Sequence, residues 1–161
     1  MTIAAEIAAA LAAEFDLPDV GTLTVIVVRL VTAAVLGGLL GMEREHKGRA
    51  AGFRTHILVS IGSALFVMAP SMAGVDPADV TRVMQGIVSG IGFLGAGAII
   101  KMDRGNRVEG MTTAAGIWMT SAIGMAAGMG MEIVALVTTL VALLVLGAIP
   151  KLMPPDPPRD S

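Results

Sequence analysis

The sequence contains no cysteine and no tyrosine, and only one tryptophan and four phenylalanines among 161 residues. Without cysteine there is no disulfide, no thiolate metal site and no thiol nucleophile. With so few aromatics, no belt of rings marks a membrane–water interface. Charge is scarce too: 15% of the residues are charged, against roughly a quarter in a soluble domain, so the chain is short of the polar surface that water requires. No basic residue precedes Arg29, whereas a secretory signal opens on a positive stretch. With Glu6 in the same region, the N-terminus does not read as a cleaved signal. A net charge of −2 offers nothing to nucleic acid. The P-loop, HExxH and GxSxG signatures are all missing. Too little polar chain remains to house an active site outside a membrane. The expectation is therefore a protein that is not an enzyme and carries no cofactor.

Apolar residues are abundant, at 55% of the chain, together with 20 glycines. A spanning helix needs about 20 mostly apolar residues. Stretches of that kind run over residues 21–42, 55–74, 83–100, 111–131 and 132–149. The fold class expected is all-α, a polytopic membrane bundle of about five spans. Residues 1–20, with Ile3, Ile7 and Leu11 against Glu6 and Glu14, read as a short amphipathic segment lying at an interface. Residues 21–150 form the transmembrane domain. Residues 151–161, rich in proline after Pro150 has ended the last helix, read as a disordered tail.

The loops set an orientation. Arg44, Lys47, Arg49 and Arg54 lie between the first two spans, and Lys101, Arg104 and Arg107 between the third and fourth; Lys151 and Arg159 follow the fifth. The alternate loops hold Arg82 beside Asp76 and Asp79. The positive-inside rule then places the N-terminus outside and the C-terminus in the cytoplasm of an inner (plasma) membrane crossed several times.

Several constellations stand out. In the first span Arg29 shares a helical face with Ala33, Gly37 and Gly41. It either snorkels outward or is a buried cation awaiting an anionic or carbonyl partner. In the third span Gly86 and Gly90 form a GxxxG pair, with Gly97 beyond; Ser89, Gly92 and Ala96 make a second small stripe, and Gln85 and Ser89 share a face. Each glycine costs about 1 kcal/mol in a helix relative to alanine. Close packing of backbones on two sides is one reason for so many; a broken helix lining a polar path is the other. At the basic end, Glu43, Arg44 and Glu45 close the first span and Arg54, Thr55 and His56 open the second. His56, Ser60 and Ser63 continue as a stripe into the membrane. The fourth span opens from the same side with Thr112 and Thr113, either of which suits a helix cap; Thr113, Ile117, Ser121, Gly124 and Gly128 lie along one face of it. Glu43, Arg54, Thr55, His56, Thr112 and Thr113 are expected to gather there, with Arg54 paired to Glu43 within about 4 Å. Glu43, Glu45 and His56 have the donor types for a divalent ion; the metal is unknown, and the bland alternative is a solvated rim that sets topology.

The blocks GMERE at 41–45, AGFRTHILV at 51–59, GSAL at 62–65, QGIVSGIGFLGAG at 85–97 and TTAAGIW at 112–118 strongly resemble the N-terminal membrane domain of the MgtC/SapB family. Phe53 and Met111 stand where leucine is expected, Ala50 where proline is common, and the chain stops at Ser161 without the ACT-like domain of virulence-type members. The resemblance implies an inner-membrane protein for adaptation to magnesium limitation, acid or life inside macrophages. It further implies partners among other inner-membrane proteins, ATP synthase included. Two functions stay open: a regulatory or interaction protein, and a transporter or channel for Mg²⁺ or another small ion. Either one favours a homo-oligomer, a dimer first, in contact with membrane lipid and joined through the small-residue faces of the first or third span.

Overall fold

The computed structural model describes residues 2–15, 17–101 and 109–149. The tail at 150–161 and the basic residues Arg104 and Arg107 lie outside the described residues. Six helices follow one another: α1 (Ile3–Glu14), α2 (Val20–His46), α3 (Phe53–Met72), α4 (Pro77–Lys101), α5 (Met111–Gly128) and α6 (Glu132–Gly147). There is no strand among the described residues, and the chain is a helical membrane bundle.

Helix starts follow local chemistry. Asp19 caps α2, accepting from the amides of Gly21 and Thr22 at 2.9 and 3.1 Å and from the Thr22 hydroxyl at 2.5 Å. That hydroxyl, followed by the Thr22 amide, holds the Asp19 carboxyl below its ordinary pKa. Asp76 takes the Ala78 amide at 2.7 Å, and Pro77 suits the first helical position, where no N–H is needed. Consequently α4 begins about a turn and a half before the stretch expected from hydropathy. The start of α5 corrects the expected threonine cap. The helix opens at Met111 behind Gly110, which has φ +93°, and neither Thr112 nor Thr113 caps it. A Cβ on Gly110 would lie 2.9 Å from the Ala98 carbonyl oxygen, so glycine is needed here for conformation and for space. Gly130, at φ +77°, makes the tight turn between α5 and α6.

Helices α2, α3 and α4 are long and apolar enough to cross a membrane; α6 is apolar but shorter. The 27 residues of α2 rise about 40 Å, more than the ~30 Å hydrocarbon layer. Its last turn therefore carries Glu43, Arg44 and Glu45 past the apolar stretch as helix. Helix α5 reads weakly as a span because it is the centre of the bundle: it packs against α2, α3, α4 and α6, while α4 and α6 do not meet. A helix with neighbours on most sides needs small side chains more than apolar ones. Gly116, Thr120, Ser121, Gly124, Ala127 and Gly128 are all buried in it. Helix α1 forms as expected but packs on none of the other helices.

The main core is built from Ala33, Leu36, Leu40, Ala64, Ile123, Ala127, Ala135 and Ala142. So many alanines bring backbones close. A Cβ on Gly37 would lie 2.6 Å from Ser60 Cβ, and one on Gly41 2.7 Å from Phe53 Cα. On the other side of α3, a Cβ on Gly124 or Gly128 would lie 2.8 Å from Ser60 Cα or 2.7 Å from Ala64 Cα. Helix α3 is thus pressed between a glycine pair of α2 and a glycine pair of α5, the packing device of membrane helices. The glycines of α4 behave differently. Added carbons on Gly86, Gly90, Gly92 and Gly97 would meet nothing within 4 Å; of the α4 glycines only Gly95 touches a neighbour, Ala114 at 3.4 Å. The close packing expected of Gly86, Gly90 and Gly97 is not made among the described residues. Helix α4 instead turns Val80, Met84, Ile87 and Ile91 inward, a stripe at 3.6-residue spacing that Gly95 continues, and Gly86, Gly90, Gly92 and Gly97 fall outside it.

Candidate functional site

The five helices of the bundle alternate in direction, so the C-terminal ends of α2 and α6 and the N-terminal ends of α3 and α5 share one end of the molecule. Arg44 organises it. Its side chain is 2% exposed and pairs with the neighbouring Glu43, and its Nη2 reaches the Leu146 carbonyl at 3.4 Å. Lys47 Nζ donates to the same carbonyl at 2.6 Å and lies 2.8 Å from Glu43 Oε1. Two cations at the end of α2, Arg44 and the capping Lys47, therefore close the last turn of α6, where unpaired carbonyls and the helix dipole concentrate negative charge.

The expected ion pair between Arg54 and Glu43 is not formed. Arg54 is exposed and has no ion-pair partner among the described residues. The reason is reach along the chain: Arg44, in the same helix as Glu43, and Lys47, which caps that helix, lie one and four residues on and already pair with it. Glu45 accepts instead from the Phe53 amide at 2.7 Å and so caps α3. The three donors considered for a divalent ion do not converge either. Glu43 and Glu45 are committed to separate partners, and no group of three His, Asp or Glu is placed to hold a metal among the described residues.

His56 is fully buried, and its Nδ1 donates to the Gly52 carbonyl at 2.9 Å. A carbonyl oxygen only accepts, so Nδ1 carries the proton and Nε2 of the neutral ring is left as an acceptor. That nitrogen has no partner among the described residues; a Cβ on Gly116 would sit 3.6 Å from it. One turn along, the Ser60 hydroxyl is also buried without a partner. Ser63 then bonds Ser121 across the α3–α5 interface at 2.7 Å, and Thr113 and Thr120 are buried in α5 beside them. The result is a polar spine, Arg44–His56–Ser60–Ser63–Ser121, along the contact between α2, α3 and α5. Thr113 belongs to this interior. Thr55 and Thr112 are exposed and belong to two shallow recesses at the end of the bundle, and Arg49 lines both. The expected single cluster is therefore two arrangements: a buried spine and an open polar rim.

Arg29 does find the carbonyl partner considered for it. Its Nη1 donates to Gly128 O at 3.0 Å, at the end of α5, and a Cβ on Gly130 would lie 2.5 Å from its Nη2. With Arg44 and Lys47 on α6, Arg29 in the first half of α2 and the two cations at the end of α2 hold both C-terminal ends of the α5–α6 hairpin. Sequence reasoning missed this hairpin clamp for Arg44 and Lys47, because the acceptor is a backbone carbonyl that no residue type announces. Gln85 and Ser89 are exposed on α4, on the side turned away from the stripe that packs inward.

Comparison with known proteins follows the same blocks. "Putative magnesium transporter YhiD" of Escherichia coli K12 is 42% identical over 130 residues, 74% of this chain and 58% of that protein. "Protein SrpB" of Synechococcus elongatus is 42% identical over 135 residues, 77% of this chain and 74% of its own length. "Protein MgtC" of Brucella abortus is 47% identical over 111 residues, 69% of this chain and 45% of that protein. The chain thus spans a little over half of YhiD and under half of MgtC. No solved structure matches. The model of the MgtC family matches residues 30–153, from just after Arg29 to beyond α6, and takes in the whole polar spine; this chain belongs to the MgtC family.

Proposed function

We propose that this protein is a non-enzymatic, multi-pass component of the bacterial inner membrane that acts by binding other membrane proteins or copies of itself. Its setting is adaptation to magnesium limitation or acid stress. Helices α2–α6 cross the bilayer as five spans with the N-terminus outside and the basic end in the cytoplasm. The magnesium connection is supported by the name of YhiD and by membership of the family.

The observation that carries the interaction reading is how the charges are spent. Mg²⁺ keeps its waters and is held by hard oxygens, chiefly carboxylates. Helices α3 and α5, which form the heart of the bundle, contain no Asp or Glu at all. Arg29, Glu43 and Arg44 are consumed in bonds within the chain. Meanwhile Gln85, Ser89, Gly92 and Ala96 of α4 stand exposed in one row, and polar and small residues on the outer face of a spanning helix serve contact with another helix. A dimer joined through this row accounts for it.

The YhiD name supports a second reading, ion transport by an oligomer. One measurement tests the interface and a second separates the two readings. Native mass spectrometry of the purified protein in detergent is expected to give a dimer that Ser89→Leu reduces to monomer. An unchanged mass removes α4 as the interface. Flux of Mg²⁺ into proteoliposomes decides transport directly.

A further inference from the structure

Gly62, Gly86 and Gly90 have open space where a side chain would stand, and the three share a purpose. They line a groove of about 700 Å³ between α3 and α4, walled by Leu58, Val59 and Phe66 on one side and Val83, Ile87 and Leu94 on the other. Glycine keeps the groove open: a Cβ at any of the three positions would stand at its wall and meet nothing within 4 Å. Along α4 the groove runs from residue 83 to 94, about 17 Å at 1.5 Å per residue. The α3 wall does not stop at the basic end. Arg54 precedes Leu58 by four residues, and Thr55 precedes Val59 and Gly62 by four and seven, so the same helical face continues outward. Arg54 and Thr55 line a polar recess of about 530 Å³ with Glu45, Arg49, Gly52 and Phe53.

That recess suits an anion. It holds two guanidinium groups against one carboxylate, and Glu45 is engaged by the Phe53 amide. Arg54 has no ion pair among the described residues. Glu45 takes the Phe53 amide of the first turn of α3, and the amides of Arg54 and Thr55 beside the recess have no side-chain acceptor among the described residues, with the positive end of the helix dipole behind them.

We propose that the α3–α4 groove and the Arg49–Arg54 recess form one site for an anionic phospholipid, with an acyl chain lying over Gly62, Gly86 and Gly90 and the phosphate at Arg54. A zwitterionic lipid would fill the groove equally well but would gain less at the recess. One arginine near the membrane surface contributes about 1 kcal/mol toward an anionic headgroup, which is about a fivefold preference.

The test is native mass spectrometry of the full-length protein purified in mild detergent and exposed to equimolar phosphatidylglycerol and phosphatidylethanolamine. The expected result is retention of phosphatidylglycerol about fivefold over phosphatidylethanolamine. Arg54→Gln should bring the two toward parity, and Gly90→Leu should lower retention of both. Arg54 is exposed and bonds nothing described, so Arg54→Gln tests the idea even if Gly90→Leu fails to fold. Equal retention of the two lipids by the unaltered protein would overturn the proposal, as would an unchanged preference in Arg54→Gln. A Gly90→Leu protein with unchanged lipid but reduced oligomer mass would assign the groove to a second copy of the chain instead.

Discussion

Replacing Gly124 with alanine places one methyl group where helices α3 and α5 are nearest. The new carbon would lie 2.8 Å from Ser60 Cα and 2.9 Å from its carbonyl carbon, whereas carbon atoms rest at about 3.5–4.0 Å. The obstacle is backbone, so no rotamer change relieves it, and the two helices must part by roughly 1 Å. Overpacking of this kind costs about 1–3 kcal/mol, and a backbone obstacle puts it at the upper end. Alanine returns about 1 kcal/mol through helix propensity. The net expectation is a loss of about 2 kcal/mol. Gly90→Ala receives the same propensity gain with nothing within 4 Å of its new carbon, so it should be neutral or more stable by up to about 1 kcal/mol. The two substitutions are chemically identical and opposite in sign. Equilibrium unfolding in mixed micelles with increasing SDS, followed by circular dichroism, reads both. Gly124→Ala as stable as the parent, or Gly90→Ala clearly weaker, would refute the assignment of close packing to α3–α5 and of open space to α4.

Other expectations follow from the charged contacts. Glu43→Gln leaves Arg44 buried without its carboxylate and should cost about 3 kcal/mol in the same unfolding assay, whereas Arg54→Gln should stay within about 0.5 kcal/mol of the parent. Arg29→Gln removes a charged donor from the Gly128 carbonyl, a contribution of about 1.5–3 kcal/mol; hydrogen exchange should quicken at Met129–Met131 more than at the opposite end of α6. For orientation, Ala50→Cys and Ala78→Cys introduce single thiols at exposed positions of a cysteine-free chain. An impermeant reagent on intact cells should label only Ala78→Cys, and labelling of Ala50→Cys would reverse the proposed topology.

Much of the bundle is legible in the sequence because helical spacing is a strong constraint. The row His56–Ser60–Ser63 and the row Thr113–Ile117–Ser121–Gly124–Gly128 are spaced to share faces, and both faces are buried against each other. The turn at Gly130 and the small-residue contact of Gly37 and Gly41 are readable on the same grounds. Choice of partner is less legible. Nothing in residue type told Glu43 to prefer Arg44 and Lys47 over Arg54; that depended on α2 continuing to His46 as helix. Nor does a backbone carbonyl advertise itself, so the acceptors of Arg44 and Lys47 at Leu146 were invisible until α6 was placed beside α2. The glycines of α4 mislead for a related reason. GxxxG says that a face lacks side chains, and here that face opens on a groove while the helix packs through Val80, Met84, Ile87 and Ile91.

The central claim is that the protein works by contact and does not conduct Mg²⁺. It is tested most directly by reconstituting the purified, full-length protein into liposomes loaded with a magnesium-sensitive dye and imposing a Mg²⁺ gradient. The account predicts dye response indistinguishable from protein-free liposomes at every Mg²⁺ concentration. A saturable Mg²⁺ influx that scales with protein and is abolished by substituting residues of the polar spine, such as His56→Ala, would contradict it.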